Sequence, residues 1–214
     1  MTALLFDMDG LLLDTERVAL NSFLSIAADH AMSRSHAEPF FLSLVGSSGA
    51  QTKARLADAG IADADRFQEK WGLLFEQLVS KEVPVKPGVK ALIAELGAKG
   101  MTMVVVTSTG TGKARDQLGR AGLLEHFVDV VGGDCVKEHK PSPAPYLLGA
   151  ARAGAAPADC YAFEDSDTGV TAAVAAGCRV SQVPDLRPYG TELPALGQDV
   201  FTSLREAVVA HGLL

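Results

Sequence analysis

Residues Thr2–Glu16 read TALLFDMDGLLLDTE: a short apolar run driven straight into two acids, Asp7 and Asp9, followed at once by a glycine, Gly10. A strand that merely ends in a turn needs one polar residue. Two acids beside a glycine that lets the chain turn sharply point to two chemical roles at one strand end.

The rest of the chain supplies the sheet around that strand. From about Lys86 onward, short β-branched runs alternate with helical stretches, the pattern of a parallel sheet covered by helices on both faces. The runs ALLFD, MTMVVVT, FVDVVGG, CYAFE and CRVSQV are predicted strands. Helices are predicted over Gly88–Lys99, Thr111–Ala121, Pro143–Ala153 and Thr168–Ala176, with Gly100, Gly122, Gly154 and Gly177 where C-terminal glycines are expected. Between about Glu16 and Lys81 no strand pattern occurs. ERVALNSFLSIAADHA, TKARLADAG and DRFQEKWGLLFEQLVSKE read as helices of an inserted lobe, in which Phe67, Trp71 and Phe75 form core, and the prolines of VPVKPG close it. The division is thus residues 1–15 and 83–214 for the sheet domain and 16–82 for the helical domain.

Composition narrows the function. A chain of 214 residues holds one sizeable core with room for a small lobe, and 48% hydrophobic with 21% charged residues is ordinary for a folded soluble protein. A net charge of −7 without runs of Lys or Arg excludes a nucleic-acid-binding face, while a small phosphate needs only local cations. Cys135, Cys160 and Cys178 lack metal-ligand spacing and read as reduced core thiols. Neither a secretion signal nor a membrane span is evident, so the expected location is the cytoplasm.

Ligands of open parallel sheets bind outside the carboxyl ends of the strands. Asp7 and Asp9 follow the first strand, Thr107 and Ser108 the second, and Glu164 and Asp165 the fourth; Lys140 lies in the loop KEHKPSPAPY after the third. Converging carboxylates without His or Cys suit a hard cation such as Mg2+, and Mg2+ suits phosphate. A carboxylate attacking a phosphate ester meets like-charge repulsion, which a metal and a lysine offset. Asp7 is then the nucleophile, forming an aspartyl-phosphate, and Asp9 the general acid that becomes a base toward water. Backbone amides at the start of the following helix are expected to add hydrogen bonds to phosphate. TSTGTGKA, residues 107–114, imitates a nucleotide phosphate loop, but Thr107 stands where the first glycine belongs and Ala114 where the hydroxyl belongs.

DMDG, VVTST, KPSP and FEDSDTGV, in this order and strand context, resemble the four motifs of the haloacid dehalogenase-like hydrolase superfamily. The likeness covers essentially the whole chain. It implies a Rossmann-like α/β core with an inserted α-helical cap, Asp7 as nucleophile, Asp9 as acid/base, and Thr107 and Lys140 as phosphate binders; Ser108, beside Thr107, is a further candidate for substrate binding. It also implies Mg2+ held by Asp7, the Asp9 main-chain carbonyl and Asp165, with Glu164 a carboxylate beside these ligands or itself a direct ligand. Ala144 stands where the family often has an acid, and Gly46, Ser47 and Ser48 of LVGSSGAQTK where many relatives carry a basic residue; Gly46 and Ser47 are the candidate substrate-binding residues there. The leading function is a phosphatase acting on a small phosphorylated metabolite, as a monomer or weak homo-oligomer. A β-phosphoglucomutase-like enzyme ranks second because DTERVALNSF lacks the histidine those mutases carry, and a non-catalytic phosphometabolite-binding protein third.

Overall fold

The computed structural model describes residues 1–45, 49–188 and 190–214. Strands β1 (Ala3–Phe6), β2 (Thr102–Val106), β3 (Asp129–Val131), β4 (Cys160–Glu164), β5 (Arg179–Gln182) and β6 (Asp199–Val200) form one sheet in the order β3-β2-β1-β4-β5-β6, parallel throughout. The chain runs outward from β1 to β2 and β3, then returns to the other side of β1 at β4. The strand order therefore reverses between β1 and β4, and residues just beyond these strands face the crevice that such a reversal opens.

Side-chain alternation decides which face those residues join. Ala3, Leu5, Cys160 and Ala162 pack with residues of α7 (Ala144–Arg152) and α8 (Asp167–Ala175), among them Tyr146, Val170 and Ala173. On the opposite face Phe6 stacks on Phe163 with centroids 5.0 Å apart and meets Phe127 edge-on at 6.0 Å. A period of two carried one step further puts positions 7 and 164 on the α7/α8 face. Helix α7 lies very close to the sheet, since a Cβ on Gly149 would stand 2.7 Å from Val106 Cγ2.

Helices α5 (Val89–Ala98), α6 (Thr111–Arg120), α7 and α8 lie within a residue or two of their predicted bounds. Gly177, at φ +86°, takes the left-handed conformation that ends α8. Strand β3 is shorter than FVDVVGG and stops at Val131. The next residues turn away because they pass against the α6 entry: a Cβ on Gly132 would meet Thr111 N at 2.3 Å, and one on Gly133 would meet Ser108 O at 2.4 Å. The exposed strand β6 and helix α9 (Leu204–Ala210) were not anticipated from the sequence.

Two compact units result: Met1–Asp14, Val83–Asp185 and Leu193–Leu214 in one, Thr15–Glu82 and Leu186–Glu192 in the other. The second contains α1 (Thr15–Asp29), α2 (Arg34–Leu44), α3 (Gly49–Asp58) and α4 (Ala64–Lys81). Its core centres on Phe23, whose ring lies 5.5 Å from Phe41, 5.3 Å from Phe67 and 5.3 Å from Trp71. The Trp71 indole N–H donates to Ala19 O at 3.0 Å, which satisfies the polar end of a ring otherwise packed in this core. Phe75 is half-buried. Leu186 packs on the same cluster, so the segment it begins belongs with the helices and not, as its place in the sequence predicts, with the sheet.

Where the chain leaves and re-enters the sheet unit, Asp14 N donates to Pro84 O at 3.0 Å and Lys86 N to Leu12 O at 3.0 Å, flanking an antiparallel bridge between Leu13 and Val85. The Lys86 ammonium lies 3.1 Å from Asp14 Oδ1 and 2.5 Å from Asp185 Oδ1.

The cysteines correct one expectation. Cys160 is buried and Cys178 packs against the α7/α8 core, but Cys135 is exposed, placed by the short 3-10 turn Gly133–Cys135 rather than by a strand. Burial, reinforced by Cys160, pushes the Cys178 thiol up to about 12. Titration of native protein with a thiol reagent at pH 8 should therefore show one fast group, lost in Cys135→Ser, with the other two reacting only on unfolding. Among the described residues no helix is long and apolar enough to cross a membrane.

Candidate active site

The β1–β4 register, ending at the Phe6–Phe163 pair, continues as Asp7 N donates to Phe163 O at 3.0 Å. Asp7 and Glu164 are thereby brought side by side. Both are inside the protein, with residue exposures of 7% and 0%. After Asp7 the chain folds on itself: Leu12 N and Leu13 N both donate to Met8 O, and Gly10 at φ +83° donates to Leu13 O. The turn buries Met8, Leu11, Leu12 and Leu13 and leaves Asp9 half-exposed.

Lys140 joins the pair. Its ammonium donates to Asp7 Oδ1 at 2.7 Å, to Glu164 Oε1 at 2.6 Å and to Val106 O at 3.0 Å, so acceptors on three different strand ends take its protons. The Tyr146 hydroxyl, on α7, donates to the same Glu164 Oε1 at 2.6 Å, and the Tyr146 ring centroid lies 5.1 Å from the ammonium. Ser166 Oγ donates to Glu164 Oε2 at 3.1 Å and accepts from Gly169 N at 3.1 Å, which caps α8. Gly169 itself has no alternative here, because an added Cβ would fall 1.9 Å from Glu164 Oε1.

Asp9 is held from the β2 side. Its Oδ2 accepts from Thr109 Oγ1 at 2.8 Å and from Thr107 Oγ1 at 3.4 Å, while Thr107 Oγ1 accepts from Thr109 N at 3.1 Å. Asp165 brings a carboxylate oxygen within 4.8 Å of oxygens of Asp7 and Glu164. The Asp165 loop is braced by buried Gln182, whose Nε2 donates to Asp167 Oδ1 at 2.9 Å and Asp165 O at 3.3 Å; Gln198 Nε2 donates in turn to Gln182 Oε1 at 2.8 Å.

The charges do not balance. Burial works against the Lys140 charge, but Asp7 and Glu164 outweigh it and hold the ammonium protonated, above the usual lysine range. For Asp7, burial dominates; Lys140 counteracts it, while Glu164 and Asp9 add to it, and the carboxyl is raised well above its usual range. Burial and the Glu164 charge push the Tyr146 phenol up, so it stays a donor. One ammonium thus faces more carboxylate than it neutralises. An oxygen-only donor set with surplus negative charge fits a hard divalent cation.

Of the residues singled out in the sequence, Asp7, Asp9, Thr107, Lys140, Glu164 and Asp165 meet at these strand ends. Ser108 is exposed beside them. Gly46 and Ser47 lie outside the described residues. Tyr146, Thr109 and Gln182 were missed; the nearest signal was the second threonine of TSTG. At the α6 entry, Asp134 Oδ1 accepts from Thr111 N at 2.8 Å and from Thr111 Oγ1 at 2.6 Å, which occupies the first amide of that helix.

The chain as a whole has known relatives. A sequence model described as Haloacid dehalogenase-like hydrolase matches residues 4–183. The chain belongs to that family. The hydrolase is 34% identical over 180 residues to Hexitol phosphatase A of Escherichia coli, covering 84% of this chain and 81% of that one. It is 31% identical over 179 residues to the Phosphorylated carbohydrates phosphatase of Thermotoga maritima, covering 83% and 82%. Among solved structures, a HAD family hydrolase from Deinococcus radiodurans R1 with bound phosphate and sodium matches at TM-score 0.85 and 27% identity, over 100% of this chain and 97% of that one. The hydrolase thus shares the Rossmann-like α/β fold of these proteins.

Proposed function

We propose that this hydrolase releases phosphate from a small phosphorylated carbohydrate, or a similar phosphomonoester, through an aspartyl-phosphate on Asp7. The observation that carries the reading is the Lys140 ammonium bonded to both Asp7 and Glu164 at the crevice between β1 and β4. The relatives whose names specify phosphorylated carbohydrates and hexitols support the substrate class.

Asp7 attacks phosphorus, and the P–O bond to the leaving alcohol breaks as Asp9 gives that oxygen a proton. Asp9 then takes a proton from water, which attacks the phosphoryl-aspartate and regenerates Asp7. The hydroxyl of Thr109 orients the Asp9 carboxyl for both steps. Lys140 and the Thr107 hydroxyl offset charge on the phosphoryl oxygens. Mg2+, when bound, supplies further neutralisation of that charge. Asp7 and Asp165 would hold it, with the Asp9 carbonyl, while the Glu164 oxygens stay with Lys140, Tyr146 and Ser166. We read the helical unit as a cap domain, with Gly46 and Ser47 contributing to substrate choice. The free thiols suit a reducing cytoplasm, where we place the reaction.

The test is phosphate release from a panel of hexitol, hexose and pentose phosphates, phosphoglycolate and nucleoside monophosphates. We expect release from at least one sugar or hexitol phosphate, lost on adding chelator and restored by Mg2+. Conversion of glucose 1-phosphate to glucose 6-phosphate without phosphate release, in the presence of a hexose bisphosphate primer that phosphorylates Asp7, would replace the phosphatase with a mutase. Inertness toward every ester with Mg2+ present would remove the reading.

A further inference from the structure

Tyr146 looks at first like core. It is fully buried on the face of α7 that packs against the sheet, among Leu5, Val106, Ala162 and Val170. A phenylalanine would fill the same volume without bringing a hydroxyl that must find a partner away from water. The hydroxyl that is present reaches Glu164 Oε1, the same oxygen that receives the Lys140 ammonium.

We propose that Tyr146 is a positioning residue of the reaction: its hydroxyl fixes the Glu164 carboxylate, which in turn fixes the Lys140 ammonium against Asp7. The reaction itself is the one read above. Lys140 is a long side chain whose head is located only by what it bonds to. Of its acceptors, Val106 O is backbone and Asp7 is the reacting group, so Glu164 is the side chain that anchors it without changing covalently. Glu164 is restrained at Oε2 by Ser166 and has the bare Cα of Gly169 against it, and Tyr146 supplies the remaining directed bond at Oε1. The Tyr146 ring lies 5.1 Å from the ammonium. One α7 residue thus touches both members of the Lys140–Glu164 pair. Without the hydroxyl, Glu164 Oε1 has one directed donor fewer and the carboxylate can rotate, carrying the ammonium with it.

The test is Tyr146→Phe, which keeps the ring and its packing and removes one oxygen. Two quantities are read on full-length protein: steady-state kinetics on the best ester of the panel with saturating Mg2+, and the side-chain 15N–1H signal of the Lys140 ammonium, assigned by its loss in Lys140→Arg. We expect kcat to fall roughly tenfold, as for other groups that orient a charged site residue, while KM moves less than about twofold. We also expect the Lys140 signal to shift or broaden. An unchanged kcat or an unmoved Lys140 signal overturns the proposal, including when the melting temperature falls, since that marks a packing role only. If the wild type releases no phosphate from any ester, the reaction reading fails by itself; the ammonium signal then decides whether Tyr146 positions Lys140.

Discussion

Replacing Asp7 by Asn should lower the rate of phosphate release by at least about a thousandfold, because the amide keeps the shape of the side chain but cannot act as the attacking oxygen. The same variant should not be destabilised at neutral pH in metal-free buffer. Asp7 is a carboxyl whose folded-state pKa burial raises well above its usual range. Such a group costs stability above its unfolded pKa, where the unfolded chain ionises more readily than the folded one. The cost is absent below about pH 4, where the group is protonated in both states. Chemical denaturation across pH in the presence of chelator should therefore find Asp7→Asn at least as stable as wild type at pH 7, with any advantage vanishing toward pH 4. Marked destabilisation at pH 7 would show instead that the bond from Lys140 to Asp7 dominates the energetics.

Lys140→Met should have the opposite character. The methionine approximates the lysine stem, but it leaves Glu164 at 0% exposure and Asp7 at 7% without their shared cation. Removing one partner of a buried pair is costly, so we expect a loss of about 3–5 kcal/mol in urea denaturation at pH 7. Activity should fall about a hundredfold or more through loss of charge at the phosphoryl oxygens. The stability deficit should shrink on acidification, because a carboxyl that takes up a proton no longer needs an opposite charge. A deficit independent of pH would assign it to packing.

Reading the residues in order recovers much of this arrangement for a physical reason. In a parallel sheet every strand carries its polar terminator to the same edge, so Asp7, Thr107 and Glu164 could be brought together without knowledge of the register. Helices α5 to α8 are legible because their apolar spacing and terminal glycines are local signals. What escaped depends on pairings that no local pattern encodes. Tyr146 has the spacing of a core residue, and only the approach of α7 to β4 gives its hydroxyl a partner. Thr109 is a loop residue until the β1 turn brings Asp9 to it. Gln182 reads as the end of a strand, yet it spans the gap to the Asp165–Asp167 loop. Cys135 was misplaced because FVDVVGG reads as continuous strand, whereas the crowding of Gly132 and Gly133 against α6 ends it at Val131.

The Leu13–Val85 bridge and its two flanking hydrogen bonds also bear on how such a chain can be assembled and rebuilt. Seen from the sheet unit, the whole excursion from Thr15 to Glu82 is the loop of a small antiparallel hairpin whose stem the sheet unit supplies from its own residues. Because the cost of closing a loop grows only slowly with its length, that stem tolerates inserts of very different sizes with little change to the sheet. Lys86, paired at this stem with Asp14 and with Asp185, adds the third exit of the chain to the same anchorage. A different insert could therefore be joined at Asp14 and Val83 while the strand ends keep their register, so the helical unit can be rebuilt without moving the reacting groups.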